Sequence, residues 1–159
     1  MRPLLRPVIV GFIATVGALA IAVASEADPV VGTWQLDAAK STFTNSPAAK
    51  SQTRTYSQSG GSITLVMKTV GADGKESTVQ TTYQLDGKDY PVTGAQDYDS
   101  LSGKQVNPRT ASFTLKKGGK AVATTTRTVS KDGKHLTSKM SSTTAAGEKS
   151  ESVMQFDKQ

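Results

Sequence analysis

Cysteine is absent from the 159 residues. The chain therefore has no disulfide, no thiolate metal ligand and no thiol nucleophile, and the small disulfide-dense secreted class is excluded. Histidine is nearly as scarce, with His135 alone. With no second imidazole and no thiolate, a zinc site lacks nitrogen and sulfur ligands. A Ser–His pair has no carboxylate close to His135 in sequence, and no serine sits in a Gly-x-Ser-x-Gly elbow. Arginine is sparse after the first few residues (Arg54, Arg109, Arg127), and aromatic residues make up only 6% of the chain. A nucleic-acid groove calls for clustered arginines interleaved with aromatics, so nucleic acid is excluded as a partner. Asp97 and Asp99 flank Tyr98 and would share a strand face. They read as the polar end of a strand rather than as a glycosidase pair or a Ca²⁺ site. No catalytic residue, metal ligand or cofactor is expected, and an enzyme is the least favoured reading.

What is present first is a leader. Arg2 and Arg6 precede an uncharged apolar run from Val8 to Ala24, which ends in Ala22-Val23-Ala24. This is a basic n-region, an h-region and a small-residue cleavage site. Residues 1–24 are expected to be a signal peptide cut near Ala24/Ser25. The rival reading is an uncleaved anchor, but the run contains Gly11 and Gly17 and falls short of the roughly 20 apolar residues that a spanning helix needs. With no cysteine there is no lipoprotein anchor, so no stable membrane anchor is expected after cleavage. Lys and Arg total 19 against 13 Asp and Glu, and loss of Arg2 and Arg6 takes the net charge from +6 to +4. A periplasmic or secreted bacterial protein is implied, with one domain over residues 28–159.

In that domain the punctuation is the clearest signal. Asp-Gly-Lys recurs at residues 73–75, 86–88 and 132–134, and Gly60-Gly61, Gly118-Gly119 and Ala146-Gly147 provide further turns. Asp-Gly between strand-like runs marks a tight hairpin, because a type I′ turn needs positive φ at both central residues. The interval from residue 87 to 118 is about two beats long and should hold two more reversals. Between turns, apolar residues alternate with period two. Ile63, Leu65 and Met67 share a face, as do Val79, Thr81, Tyr83 and Leu85, then Ala111, Phe113 and Leu115, then Leu136 and Met140, then Met154 and Phe156. Nine or ten strands are predicted, near residues 30–36, 51–58, 62–70, 76–85, 89–92, 98–106, 110–117, 120–130, 134–143 and 149–157. Only residues 37–50 could hold a short helix, limited by Pro47. Successive hairpins make an all-β, antiparallel up-and-down meander of about 8–10 strands, which hides its edges best by closing into a barrel. A flattened sandwich is the alternative. Ala121, Ala123, Thr125, Ser138 and Ser142 are expected to point inward, a lining thin enough to hold water or a small ligand.

The opening strand reads Val30-Val31-Gly32-Thr33-Trp34-Gln35-Leu36. A Gly-x-Trp there, on a small antiparallel meander, resembles the lipocalin and fatty-acid-binding-protein superfamily, the calycins. Residues 131–159 resemble the last two strands of a fatty-acid-binding protein. The stretch from Leu85 to Gly94 is similar to exported bacterial proteins described as lipocalin-like. The resemblance implies a small barrel closed at one end by Trp34. The thin, mixed-polarity inner face points to a non-enzymatic binding module for a small apolar or amphipathic ligand, lined by Trp34, Leu65, Met67, Tyr83, Phe113, Arg127, Met140, Met154 and Phe156. Arg127 would be an anchor for an acidic group, although it lies one residue out of step with its turn, and a one-residue slip reverses the face. The family pattern places an inward arginine where this chain has Met154, and a helical lid where it has residues 37–50. The alternative function is an interaction domain whose Ser/Thr-rich exterior contacts an envelope protein or polysaccharide around an inert barrel.

Overall fold

The computed structural model describes residues 26–144 and 146–159, so the leader expected at residues 1–24 lies outside the described residues. Ten antiparallel strands follow one another in a meander: β1 (Gly32–Thr44), β2 (Ala49–Ser59), β3 (Ser62–Gly71), β4 (Glu76–Tyr83), β5 (Asp86–Thr93), β6 (Ser100–Asn107), β7 (Thr110–Lys117), β8 (Lys120–Val129), β9 (His135–Thr143) and β10 (Lys149–Lys158). Each strand pairs with its sequence neighbour, and β10 returns to pair with β1, so the sheet closes into a barrel with no free edge. The strands are rich in Thr, Val and Ser, whose branched or short side chains suit a pleated surface with one face in water. Their alternation carries through to burial. On β10, Ser150, Ser152, Met154 and Phe156 are buried while Lys149, Glu151 and Lys158 are exposed.

Three local features differ from the sequence expectations. Residues 37–44 are not a helix but a continuation of β1, carrying a bulge between Asp37 and Thr42. Side chains stitch that bulge. Ser41 Oγ donates to the Asp37 carbonyl (2.7 Å) and accepts from the Gln155 amide (3.0 Å), and the Asp37 carboxylate takes the Lys40 ammonium at 2.7 Å. Asp86-Gly87-Lys88 does not make a closed two-residue hairpin tip. The last β4–β5 pair is Thr81–Val92, so the chain reverses through a wide connection centred on Asp86 and Gly87, both of which already lie within β5 beside an irregular register with β6. Ala121 faces outward, because β8 bulges at Val122 between Ala123 and Ala121.

Five connections, those of β1–β2, β3–β4, β5–β6, β7–β8 and β9–β10, lie at one end of the barrel, here the top. Asp28 and Gln159 lie at the bottom. The interval from residue 87 to 118 does hold two reversals, after Thr93 and after Asn107. The bottom is a solid floor. Trp34, Leu136, Phe156, Val129 and Tyr83 are between 0% and 2% exposed, and the Trp34 indole donates to the Val30 carbonyl at 2.7 Å. Phe113 meets Tyr83 edge-on at 5.3 Å and lies over Gly103, where a Cβ would come within 2.7 Å of its ring.

Candidate functional site

The interior above the floor is uneven. Leu65, Met67, Thr69, Ala123, Thr125, Met140 and Ser142 point inward and are only half-buried, whereas their inward neighbours Val79, Val92, Leu101 and Leu115 are buried. Tyr98, on the loop between β5 and β6, packs against the same interior. Its hydroxyl is pushed up from its ordinary pKa, chiefly by burial, with Arg54 opposing that shift. Two shallow hollows border this side. One of about 430 Å³ lies at the β8–β9 rim around Ala123 and Ser142. The other, of about 230 Å³, runs along β8, β9 and β10 beside Thr125, Met140 and Ser152 and reaches the outer-face residues Lys139 and Glu151.

All nine residues that the sequence suggests as lining face the interior, but they fall into two groups. Trp34, Tyr83, Phe113, Phe156 and Arg127 belong to the packed floor, and Leu65, Met67, Met140 and Met154 line the level above it. The uncertainty over Arg127 is resolved by the bulge at Val122. The extra residue shifts the alternation of β8 by one and turns Arg127 inward, where it is 4% exposed.

Arg127 is already occupied by the protein itself. Nη2 donates to Asp28 Oδ2 and Nη1 to Tyr83 Oη, both at 2.9 Å. Its guanidinium carbon lies 5.6 Å from the ring centres of both Tyr56 and Phe113. Asp28 is held in turn, since its other oxygen accepts the Val30 amide (2.9 Å) and its own amide donates to Gln58 Oε1 (2.7 Å). Burial holds the Tyr83 hydroxyl well above the ordinary tyrosine range, with Arg127 pulling the other way. Arg127 is thus a strut of the floor.

Sequence reasoning passed over the second buried arginine. Arg54 is 8% exposed and sits one level above Phe156, with its guanidinium carbon 4.4 Å from that ring's centre. Nε donates to Gln52 Oε1 at 2.7 Å and Nη2 contacts Met154 Sδ at 3.7 Å. Gln52 Nε2 continues the chain to Thr69 Oγ1 at 2.9 Å. Ser152, on the same inward face of β10 as Met154, is 4% exposed, and its hydroxyl has no hydrogen-bond partner among the described residues. The signal for Arg54 was its phase, since Gln52, Arg54 and Tyr56 alternate on one face of β2.

The remaining candidates have local roles. Asp97 is exposed, and Asp99 Oδ2 accepts the Gly118 amide at 2.9 Å, which holds its carboxyl below the ordinary value. Asp99 therefore ties the β5–β6 loop to the β7–β8 turn. His135 Nδ1 does lie 2.7 Å from a carboxylate, that of Asp157 on the neighbouring strand, in an exposed cross-strand pair. Among the described residues no group of His, Asp and Glu is arranged to hold a metal ion.

No protein-family model and no curated protein matches this chain. Among solved structures the chain is similar to EF1p2_mFAP2b bound to DFHBI, with 12% identity, a TM-score of 0.50, and coverage of 82% of this chain and 94% of that one. It is also similar to a redesigned β-barrel, mFAP1, bound to DFHBI (15% identity, TM-score 0.47, 82% and 95% covered) and to a de novo designed fluorescence-activating β-barrel (13%, 0.43, 81% and 93%). At 12% identity the likeness to EF1p2_mFAP2b is one of fold alone.

Proposed function

We propose that the chain is an exported, non-enzymatic binding module that takes a small, partly apolar ligand into the upper half of its barrel. The observation that carries this reading is the uneven interior, in which a sealed aromatic floor and buried Val79, Val92, Leu101 and Leu115 stand beside inward Leu65, Met67 and Met140 that are only half-buried. A barrel packed for stability alone has no reason to leave Leu65, Met67 and Met140 in contact with solvent. The fold is compatible with such a role, since EF1p2_mFAP2b is bound to DFHBI. Leu65, Met67, Met140 and Met154 would form the contact wall, and Trp34, Tyr83, Phe113, Arg127 and Phe156 the support beneath it. The leader supports cleavage near Ala24/Ser25 and a periplasmic or secreted life for a domain over residues 28–159, and Gly32-Thr33-Trp34 supports kinship with lipocalin-like exported proteins. Native mass spectrometry of protein purified from its own host, paired with titration of Nile red, tests the reading. A co-purifying small molecule whose removal allows the dye to brighten is expected. A bare mass together with a dye that stays dark would overturn it.

A second reading rests on the exterior. Outward Ser and Thr residues of β7, β8 and β9 stand opposite one another in rows (Thr110, Thr128, Thr137; Thr114, Thr124, Ser141), and both hollows border that wall. Such a face suits contact with an envelope protein or polysaccharide, with the barrel inert.

A further inference from the structure

The bulge at Val122 also shapes the outer wall. Below it, β8 and β9 pair without interruption from Val129–Leu136 up to Ala123–Ser142. Above it, Lys120, Ala121 and Val122 run on with no partner on β9, so the two strands part. The larger hollow, of about 430 Å³, sits at that parting, and the smaller one continues it downward, with Thr124 and Ser141 bordering both. Most residues along the smaller hollow point outward, Thr124, Thr126, Lys139, Ser141, Glu151 and Val153 among them, so the trough opens on the exterior. Elsewhere outward threonines satisfy one another. Thr110 and Thr128 hydroxyls lie 3.2 Å apart, those of Thr64 and Thr82 2.8 Å, and Thr137 donates to Gln155 at 2.8 Å. Around the trough this stops: Thr124, Thr126 and Ser141 have no side-chain partner among the described residues, although Thr124 and Ser141 are cross-strand neighbours. Glu151 is taken by Lys149 at 2.7 Å, whereas Lys139 enters no ion pair among the described residues. The residues bordering the trough thus leave one positive charge, at Lys139, uncompensated. A protein partner needs a cluster of apolar anchors at the centre of its interface. Among the described residues the exposed large apolar side chains are Val106 and Val122, on different strands, and they make no such cluster. A glycan asks for the opposite, many hydroxyl partners and a few aliphatic spots for the C–H faces of its rings, and an unpaired lysine selects an acidic one.

We infer that this trough binds an acidic polysaccharide. Its hydroxyls bond to Thr124, Thr126 and Ser141, its ring C–H faces lie against Val122 and Val153, and one of its carboxylates meets the Lys139 ammonium. This rests on the exterior reading and names its partner class, and it neither needs the barrel reading nor supports it. From the level of Thr126 and Lys139 to that of Val122 and Thr143 the trough follows four residues of strand, roughly 13 Å, which is room for a short run of sugar rings. No aromatic side chain borders it, so affinity comes from hydrogen bonds and charge alone.

The test is a matched pair of oligosaccharides, hexagalacturonate and the same oligomer with every carboxylate methyl-esterified, which keeps the hydroxyls and loses the charge. Each is titrated into the protein purified after its leader is processed, and amide resonances are followed by NMR. Exposed charge contacts are modest, so at low salt wild type should prefer the free acid by about two-fold to five-fold. The shifts should centre on Thr124, Thr126, Ser141 and Thr143, and added salt should shrink the preference. Lys139→Gln should bring the ratio close to one by weakening the free acid alone. Thr124→Val, which keeps the side-chain shape, should weaken both oligomers. Both substitutions lie on the outer face of the sheet, away from the packed floor. Equal binding of the two oligomers by wild type, a preference that survives in Lys139→Gln, or shifts centred on another wall would overturn the inference. So would the absence of any shift. Sedimentation with the host's envelope fraction then separates this inference from the exterior reading. Sedimentation that Ser141→Arg abolishes, without binding of either oligomer, keeps the exterior reading and overturns the glycan. No sedimentation and no binding removes both.

Discussion

Replacement of Asp28 by alanine is the sharpest perturbation of the floor. Asp28 and Arg127 are 99 residues apart in sequence, and their side chains are 12% and 4% exposed. Removing the carboxylate leaves Arg127 with only Tyr83 and the two rings, and its Nε already lacks a partner. It also deprives the Val30 amide of its acceptor. Breaking a buried ion pair by deleting one partner costs about 3–5 kcal/mol, because the survivor stays desolvated. Asp28 retains some solvent contact, so the lower end, about 3 kcal/mol, is the expected loss. For a domain of this size that lowers the melting temperature by roughly 10 °C. Thermal and urea unfolding followed by circular dichroism would measure it, with Arg127→Met and the double variant completing the cycle. The double variant should recover much of the loss, since it no longer buries an unpaired charge, giving a coupling of about 2 kcal/mol or more. A loss below about 1 kcal/mol for Asp28→Ala, or additive effects of the two substitutions, would refute the view that this pair holds the floor.

Two further outcomes follow from the same floor. Gly103→Ala places a Cβ 2.7 Å from the Phe113 ring and 3.0 Å from Leu85, so it should destabilise by about 1–3 kcal/mol through overpacking, read as a lowered urea midpoint with unchanged slope. The Tyr83 hydroxyl is held above the ordinary value of 10.0, chiefly by burial. Above pH 10 the unfolded chain gives up that proton while the folded barrel keeps it, so stability present below pH 10 is lost as the solution becomes more alkaline. Tyrosinate absorbance should therefore contain a step that appears only with alkaline unfolding and is reduced in Tyr83→Phe, the remainder belonging to Tyr98, whose hydroxyl burial also pushes up. A smooth single titration of all tyrosines in the folded protein would contradict the burial of that hydroxyl.

The barrel was legible because its two strongest signals are local. Alternation on β3, β4, β7 and β10 needs only neighbouring residues, and so do the turn glycines. What escaped depends on irregular backbone or on distance. The bulge at residues 37–42 reads as non-strand because Ser41 substitutes a hydroxyl for a ladder bond, and no period-two pattern records that. Asp86-Gly87-Lys88 carries hairpin chemistry yet lies inside β5, where the same positive φ at Gly87 serves an irregular register. The face of Arg127 hinged on a single extra residue at Val122. Arg54 was missed for a different reason. A search for apolar residues on alternate positions skips an inward charge, although the phase of Tyr56 was enough to place it. Asp28 stands outside every strand, and its partner is on β8, so nothing in its own neighbourhood marked it.

On the proposed reading the upper half of the barrel, and not its exterior, receives the ligand. Met67, Met140 and Met154 are the methionines of the strands, and all three face that space. Methyl-¹³C-methionine labelling therefore places three reporters on the proposed contact wall. On titration with Nile red all three methyl resonances are predicted to move together and saturate with the affinity seen by the dye's fluorescence. Binding that leaves the three methyls unmoved, while amides of Thr124, Thr126 and Ser141 on the outer face of β8 and β9 shift, would overturn that reading and assign recognition to the exterior.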